Sequence, residues 1–320
     1  MTRLLRFRSA WGLGGLRADP RRCMAAVKVA GFDGVEASLD DLGTSVTEQQ
    51  RCFAAAQAED VSLIMSAYSS WPNYEGGHAD ALSPVPRHVE ALVSELRQIA
   101  HLSASVAGPS PLWRVNAHSG SDAWTEAEGR EFFEAVAMHC AGFSGSIPDI
   151  SHETHRGRYL CCPFATARML QQVPSLRLTS DFSHWVIKCE RLLDSPEERQ
   201  LLDDIIAPAV DHIHARIGTP QAPQVADVEH PSAELAAERH YEWWEAIWTA
   251  REARSLSGRD SLVTATVEYG PAESGYTPLD SMHQPVAGHH LDETLRRASG
   301  ALGRRFERWH SDGALRLCPS

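Results

Sequence analysis

The chain has 320 residues, 43% of them hydrophobic, enough to bury a sizeable core and too many for a disordered polymer. A formal net charge of -12 argues against a nucleic-acid binder, because neutralising phosphates needs a basic surface. Seven cysteines, two of them adjacent at Cys161 and Cys162, make no disulfide framework, and no run reaches membrane-spanning length, so the expectation is a cytoplasmic protein with reduced thiols and no membrane partner.

Met1 to Arg8 carries charge throughout and has no apolar signal core; Leu4 to Trp11 reads as the first strand. Asp19-Pro20 fits an N-cap with proline at the first helical position, opening a helix that stops at Gly31. Phe32 to Ala37 is a second strand, Ser45-Val46-Thr47-Glu48 a capping box for a helix to about Ala58, and Val61 to Tyr68 a third strand. The stretch 69–86, rich in Ser, Pro, Gly and aromatics, is a long loop of the kind that often serves as a lid. A helix follows from His88 to about Leu102, then a strand from Trp113 to Ala117 that runs into His118, and a helix capped by Thr125 and Glu128. Ile150 to Thr154 is the fifth strand, Phe164 to Gln172 a short helix, Leu176 to Asp181 the sixth strand, and Ser195 with Glu198 caps a helix to about Ile206. Asp211 to Arg216 is the seventh strand, 219–231 a loop, and Ser232 to Arg254 an apolar helix carrying Trp243, Trp244 and Trp248. Leu262 to Glu268 is the eighth strand, and a helix over Leu291 to Trp309 ends the pattern. Eight alternations of strand and helix predict parallel strands closed into a (β/α)8 TIM barrel, one α/β domain over 1–320 with its core at about 4–310. An open doubly wound sheet fits less well, since no strand leads into a glycine-rich phosphate loop.

The chemistry gathers around Asp211-His212-Ile213-His214-Ala215-Arg216. Alternate side chains of a strand share a face, so His212, His214 and Arg216 project together. Such a polar row needs partners, which an ion and an oxygen-rich substrate would supply. Glu153, Asp181, His214 and Glu268 each fall at or near the C-terminal end of a strand, the barrel face where active sites lie. Three carboxylates and one imidazole make a hard donor set that suits a divalent metal: Mn²⁺, Mg²⁺ or Co²⁺, with Zn²⁺ compatible. His184, three residues past Asp181, and Arg216, two past His214, can reach an oxygen of a bound substrate. Trp11 and His118, at the ends of their strands, are further substrate-contact candidates, the indole because aromatic walls suit sugar faces.

Gly31-Phe32-Asp33-Gly34-Val35-Glu36, His152-Glu153, Asp181-x-x-His184, His212-Ile213-His214 and Val267-Glu268-Tyr269 resemble, in order and placement, the sugar (phosphate) isomerase/epimerase family with a xylose-isomerase-like barrel. The resemblance spans nearly the whole chain. It implies that Glu153, Asp181, His214 and Glu268 ligate the metal, with Mn²⁺ the first expectation. It implies further that Glu153 and Glu268 act as the acid/base pair, and that His184 and Arg216 hold the oxygens of a small polyhydroxy substrate. One glutamate takes a proton next to the carbonyl to give an enediolate. Its return to the adjacent carbon isomerises, and its return from the opposite face epimerises. The same barrel hosts dehydratases, C-glycoside-cleaving enzymes and DNA-repair endonucleases; the net charge weighs against the last. A metal-containing protein without catalysis is the remaining alternative.

Blander roles compete at several positions. His212 reads equally as a core histidine bonded to a backbone carbonyl, His152 and His155 as rim or supporting residues, and Glu36, a candidate substrate contact, first as the partner of an arginine. Trp243, Trp244 and Trp248 have helical spacing and read as helix-to-barrel packing. Trp71, in the long loop, is a candidate contact for a homodimer.

Overall fold

Short polar signals set where the helices begin. The computed structural model describes residues 2–70, 82–143, 145, 147–148, 150–254, 262–271, 274–276 and 290–316. Asp19 accepts the Arg22 N–H and Pro20 takes the first position of α1 (Pro20–Val29). Reciprocal capping boxes start α2 (Val46–Ala58) at Ser45 and Glu48, and, after α3 (Val85–Ala104), α4 (Glu126–Ala141) at Thr125 and Glu128. Beyond α5 (Pro163–Gln172) comes α6 (Phe182–Cys189), which the sequence reading missed; then α7 (Pro196–Leu201) starts at a third box, Ser195 with Glu198. α8 (Glu234–Arg254) and α9 (Leu291–Arg316) are the last of the longer helices, and a single turn, Leu39–Leu42, follows the second strand.

Between them run β1 (Arg3–Ser9), β2 (Gly34–Ser38), β3 (Ser62–Tyr68), β4 (Leu112–His118), β5 (Ile150–Glu153), β6 (Leu178–Ser180), β7 (Val210–His214) and β8 (Leu262–Val267). Each strand pairs in parallel with the next, and β8 returns to β1 through Arg3↔Leu262 to Arg8↔Val267, closing the expected (β/α)8 barrel as a single domain. Strand ends fall within two residues of the sequence reading. Asp181 and Glu268 therefore sit one residue past their strands, and Arg216 sits two past the end of β7.

The apolar core lies mainly outside the barrel wall, where Trp243, Trp244 and Trp248 are buried against it as their spacing predicts. Inside, Leu5, Phe7 and Ile64 form a small separate plug. Gly34 makes the plug possible: a β-carbon there would stand 2.3 Å from the Phe7 ring and 2.4 Å from the Ser62 carbonyl oxygen. Above the plug the barrel interior is polar, and that layer carries the site. At the start of β7, Asp211 is gripped by Arg177 and Arg251 at 2.8 Å, Arg254 at 3.1 Å and Arg114 at 3.7 Å. The described cysteines are free. Among the described residues no helix is long and apolar enough to cross a membrane. Trp71 and most of the 69–86 loop lie outside the described residues.

Candidate active site

His214, the last residue of β7, stands at the centre. Its Nε2 donates to Glu36 of β2, 3.0 Å from each carboxylate oxygen. Its Nδ1 faces Glu268 Oε2 at 2.7 Å and Glu153 Oε1 at 3.6 Å. Asp181 caps α6: its Oδ1 accepts the Ser183 N–H at 3.0 Å and hydroxyl at 2.6 Å, which turns Oδ2 toward Arg216. The cap also explains the Asp181-x-x-His184 spacing, because the first helical turn carries both side chains into the site. Ligand atoms of Glu153, Asp181, His214 and Glu268 lie within 4.8 Å of one another, three of the residues buried and Glu268 partly so.

Arg216 and His184 lie beside this group. Arg216 Nη2 donates to Asp181 Oδ2 and, at 2.7 Å, to His184 Nε2; Nε donates to Ser183 Oγ at 3.1 Å and Nη1 to Glu268 Oε1 at 3.4 Å. Its donors are thus aimed at the chain itself. His184, accepting at Nε2, keeps its proton on Nδ1, which is buried and has no hydrogen-bond partner among the described residues. His118 Nε2 lies 2.9 Å from Glu153 Oε2, and its ring stacks on Tyr68. Trp11 meets the edge of Tyr276, whose ring lies 5.4 Å from the Arg216 guanidinium carbon and whose hydroxyl accepts from Arg156 at 2.7 Å.

The sequence reading offered Glu36 as a substrate contact or as the partner of an arginine, and it missed Asn116. Among the described residues Glu36 pairs with histidines and not with an arginine: it accepts from His214, from Asn116 Nδ2 at 2.9 Å and from Thr266 Oγ1 at 2.5 Å. Asn116 also donates to Glu153 at 2.8 Å. Alternation in Arg114-Val115-Asn116-Ala117-His118 was the available signal. His212 faces inward as expected, but bonds the hydroxyls of Thr264 at 2.7 Å and Thr266 at 2.9 Å in place of a backbone carbonyl. His152 points away from the site, bonding Ser119 and packing against Phe133.

The charges are unbalanced. Burial alone would depress the His214 pKa, but the Glu36, Glu153 and Glu268 carboxylates outweigh it and raise it well above the ordinary imidazole range. Burial acts the other way on Asp181: it outweighs Arg216, and with the Glu268 charge pushes the carboxyl up to about 6. Burial would raise Glu36 and Glu153 too, yet His214 and His212 hold the first down, and His118 and His214 the second. His214 Nδ1 and Glu268 Oε2 approach closely without hydrogen-bond geometry, and both are buried. Two such atoms facing each other among carboxylates suit a shared cation, so the donor set fits a divalent ion.

No protein-family model matches the sequence, and a search of curated proteins finds no match. Solved structures do match. The probable 3-DHS dehydratase AsbF of Bacillus anthracis is 15% identical over 95% of this chain and 99% of its own, with a TM-score of 0.54. A D-allulose 3-epimerase from Methylomonas sp. in complex with D-allulose is 15% identical over 95% and 98%, at 0.55. A xylose isomerase-like TIM barrel protein from Mycobacterium smegmatis in complex with magnesium is 11% identical over 91% and 88%, at 0.55. The chain therefore has the fold of the xylose isomerase-like TIM barrels, in agreement with the resemblance its motifs carry. At these identities the likeness is one of fold.

Proposed function

We propose that this chain is a divalent-metal-dependent isomerase or epimerase of a sugar, a sugar derivative or a related polyhydroxy ketone. The observation that carries the reading is the convergence of Glu153, Asp181, His214 and Glu268 within 4.8 Å. These four hold the ion; Mn²⁺ is the expected one, and Mg²⁺, Co²⁺ and Zn²⁺ also suit the donors. When bound, the ion supplies Lewis-acid polarisation of the substrate carbonyl.

The chain's own residues do the rest. Glu153 and Glu268 are the acid/base pair, and their settings differ. Glu153 is nearly closed off among His118, Asn116 and His214, whereas Glu268 is 16% exposed and faces Arg216. One removes the proton beside the carbonyl; return of a proton to the adjacent carbon isomerises, and return to the same carbon from the opposite face by the other glutamate epimerises. His184 offers its Nδ1–H to a substrate oxygen. Arg216 holds Asp181 and Glu268 in place and adds positive charge toward the substrate oxygens. His118 contacts the substrate beside Glu153, and Trp11 with Tyr276 forms an aromatic side of the mouth. Free thiols support action in the cytoplasm.

The test is incubation of the metal-loaded protein with aldoses and ketoses in D₂O. Deuterium should enter beside the carbonyl with the heavy-atom composition unchanged, and Glu153→Gln and Glu268→Gln should each abolish it. Loss of water from the substrate would assign the site to elimination instead. No exchange with any of the four ions would sink the proposal.

A further inference from the structure

The outward positions of the strands face the helix layer and are apolar: Val115 and Ala117 on β4, Ile213 on β7 and Ala265 on β8 all lie in the buried core. β5 breaks this pattern. Between its inward residues Ser151 and Glu153 stands His152, turned to the helix layer and only 7% exposed. A polar ring buried among apolar neighbours needs a partner at each nitrogen. The chain supplies one. His152 Nδ1 lies 2.7 Å from Ser119 Oγ, which lies 3.2 Å from the Ala117 carbonyl oxygen. The hydroxyl has one proton, and the carbonyl only accepts. Both contacts are satisfied when the hydroxyl donates to the carbonyl and Nδ1 donates to the hydroxyl, which leaves the lone pair on Nε2. Burial holds the His152 pKa down at about 4, so the ring is neutral near pH 7 and Nε2 is an acceptor. Among the described residues nothing donates to it.

His152 lines a cavity of about 390 Å³ between α4 and the segment that joins α5 to β6. With Nδ1 taken by Ser119, Nε2 is the polar atom the ring offers to that space. The walls are apolar. Phe133, Val136 and Cys140 recur at helical spacing along α4, and Val173 and Leu176 stand opposite. The Phe133 ring meets the imidazole edge-on, with centroids 5.0 Å apart and planes at 87°. Burial pushes the Cys140 thiol up to about 11, so it is an uncharged part of the wall. At the rim, Arg177 is turned to Asp211, with contacts of 2.8 and 3.0 Å. Nothing in the cavity calls for a charged ligand. An apolar cavity of about 150 Å³ holds one benzene, so this one has room for a fused pair of rings.

We propose that the cavity binds a neutral aromatic molecule of one or two rings that carries an N–H or O–H donor, with the donor on His152 Nε2. The apolar walls take the rings, and the single acceptor sets their orientation. The occupant lies behind the strand ends that carry His118 and Glu153, outside the barrel wall and apart from the candidate active site.

Calorimetric titration with indole tests this, with 1-methylindole as the probe of nearly the same shape that has no N–H. Wild type should take up one equivalent of indole and bind 1-methylindole about tenfold more weakly, the worth of one buried hydrogen bond. Ala137→Trp, a change at an exposed helix position that lines the cavity, should block both. His152→Phe should remove the preference for indole over 1-methylindole. No uptake of indole at millimolar concentration, equal uptake by Ala137→Trp, or equal affinity of wild type for the two indoles overturns the proposal. Circular dichroism identifies any variant that fails to fold, and the comparison of the two indoles on wild type decides the donor claim without a variant. The assay needs neither metal nor turnover, so its result is independent of the reading of the active site.

Discussion

Replacing Glu36 by glutamine perturbs the site from behind. Glu36 is 4% exposed, and its two oxygens receive His214 Nε2, Asn116 Nδ2, Thr266 Oγ1 and, at 3.3 Å, Ser66 Oγ. Because Glu36 holds the Nε2 proton, Nδ1 is the nitrogen that faces Glu153 and Glu268 and would supply a lone pair to a cation once its own proton is displaced. Glutamine has one acceptor oxygen where glutamate has two, and it places an NH₂ among donors. His214 or the Thr266 hydroxyl then loses its acceptor. A buried donor left unsatisfied costs about 1–3 kcal/mol, and the two hydroxyls can turn elsewhere, so the expected loss of folding free energy is about 2 kcal/mol. Cation affinity should fall separately. Removing the group that orients a ligating imidazole weakens binding roughly 10–100-fold, about 1.4–2.8 kcal/mol. Urea unfolding measures the first effect, and calorimetric titration of metal-stripped protein with Mn²⁺ the second. A folded Glu36→Gln protein that binds Mn²⁺ as tightly as wild type refutes the claim that Glu36 orients His214.

Three further outcomes follow from buried contacts. Burial, with a smaller effect from Asp40, pushes Glu95 up to about 8 although Tyr68 donates its N–H to it; a carboxyl with a pKa higher in the folded state stabilises most below its unfolded value of 4.5, and that contribution is lost as pH rises through 8. The Tm should therefore fall from about pH 6 to about pH 9 in wild type and much less in Glu95→Gln, with at most about 5 kcal/mol at stake; parallel profiles would contradict this. Gly34→Ala drives a methyl into the Phe7 ring and the Ser62 carbonyl, so the urea midpoint should drop by the equivalent of about 1–3 kcal/mol with an unchanged slope. Asp211→Asn removes the charge that Arg114, Arg177, Arg251 and Arg254 share; two of these are about one-third exposed, so unfolding should register about 2–4 kcal/mol, below the ~3–5 of fully buried pairs.

What the sequence carried was local. Capping residues such as Ser45 with Glu48 and Thr125 with Glu128 act within one turn, so they place helix starts from neighbours alone. Alternation in Asp211 to Arg216 put His212, His214 and Arg216 on the inner face for the same reason. Contacts across the barrel have no such trace. Glu36 and His214 are 178 residues apart, on strands that are not neighbours in the sheet, and nothing near either residue names the other. Helix α6 was missed because Asp181-Phe182-Ser183-His184 looks like the end of a strand until the carboxylate is seen to cap the turn that follows it. Arg216 projected inward as expected, yet its donors meet Asp181, Ser183, His184 and Glu268, contacts that depend on three other elements of the barrel.

The polar interior has a further consequence. Glu36, Glu153, Asp181 and Glu268 bring four carboxylates into a space where Arg216 and a protonated His214 supply two positive charges. Isolated charges in so dry a place are costly, and the interior raises the His214 pKa and pushes Asp181 toward neutrality. For His214 the sign is that of a base with a raised folded pKa: its contribution to stability is complete below the ordinary value of 6.5 and disappears as pH rises through the raised one. A divalent cation held by the proposed ligand set would answer the same charge in another way, with His214 giving up its Nδ1 proton to serve as a ligand. Proton and cation would then compete for the same nitrogen. Glu153, Asp181 and Glu268, which with Glu36 make the interior sensitive to pH, are also the carboxylates that would hold a cation there, so in this fold the stability of the interior and its chemistry draw on the same side chains.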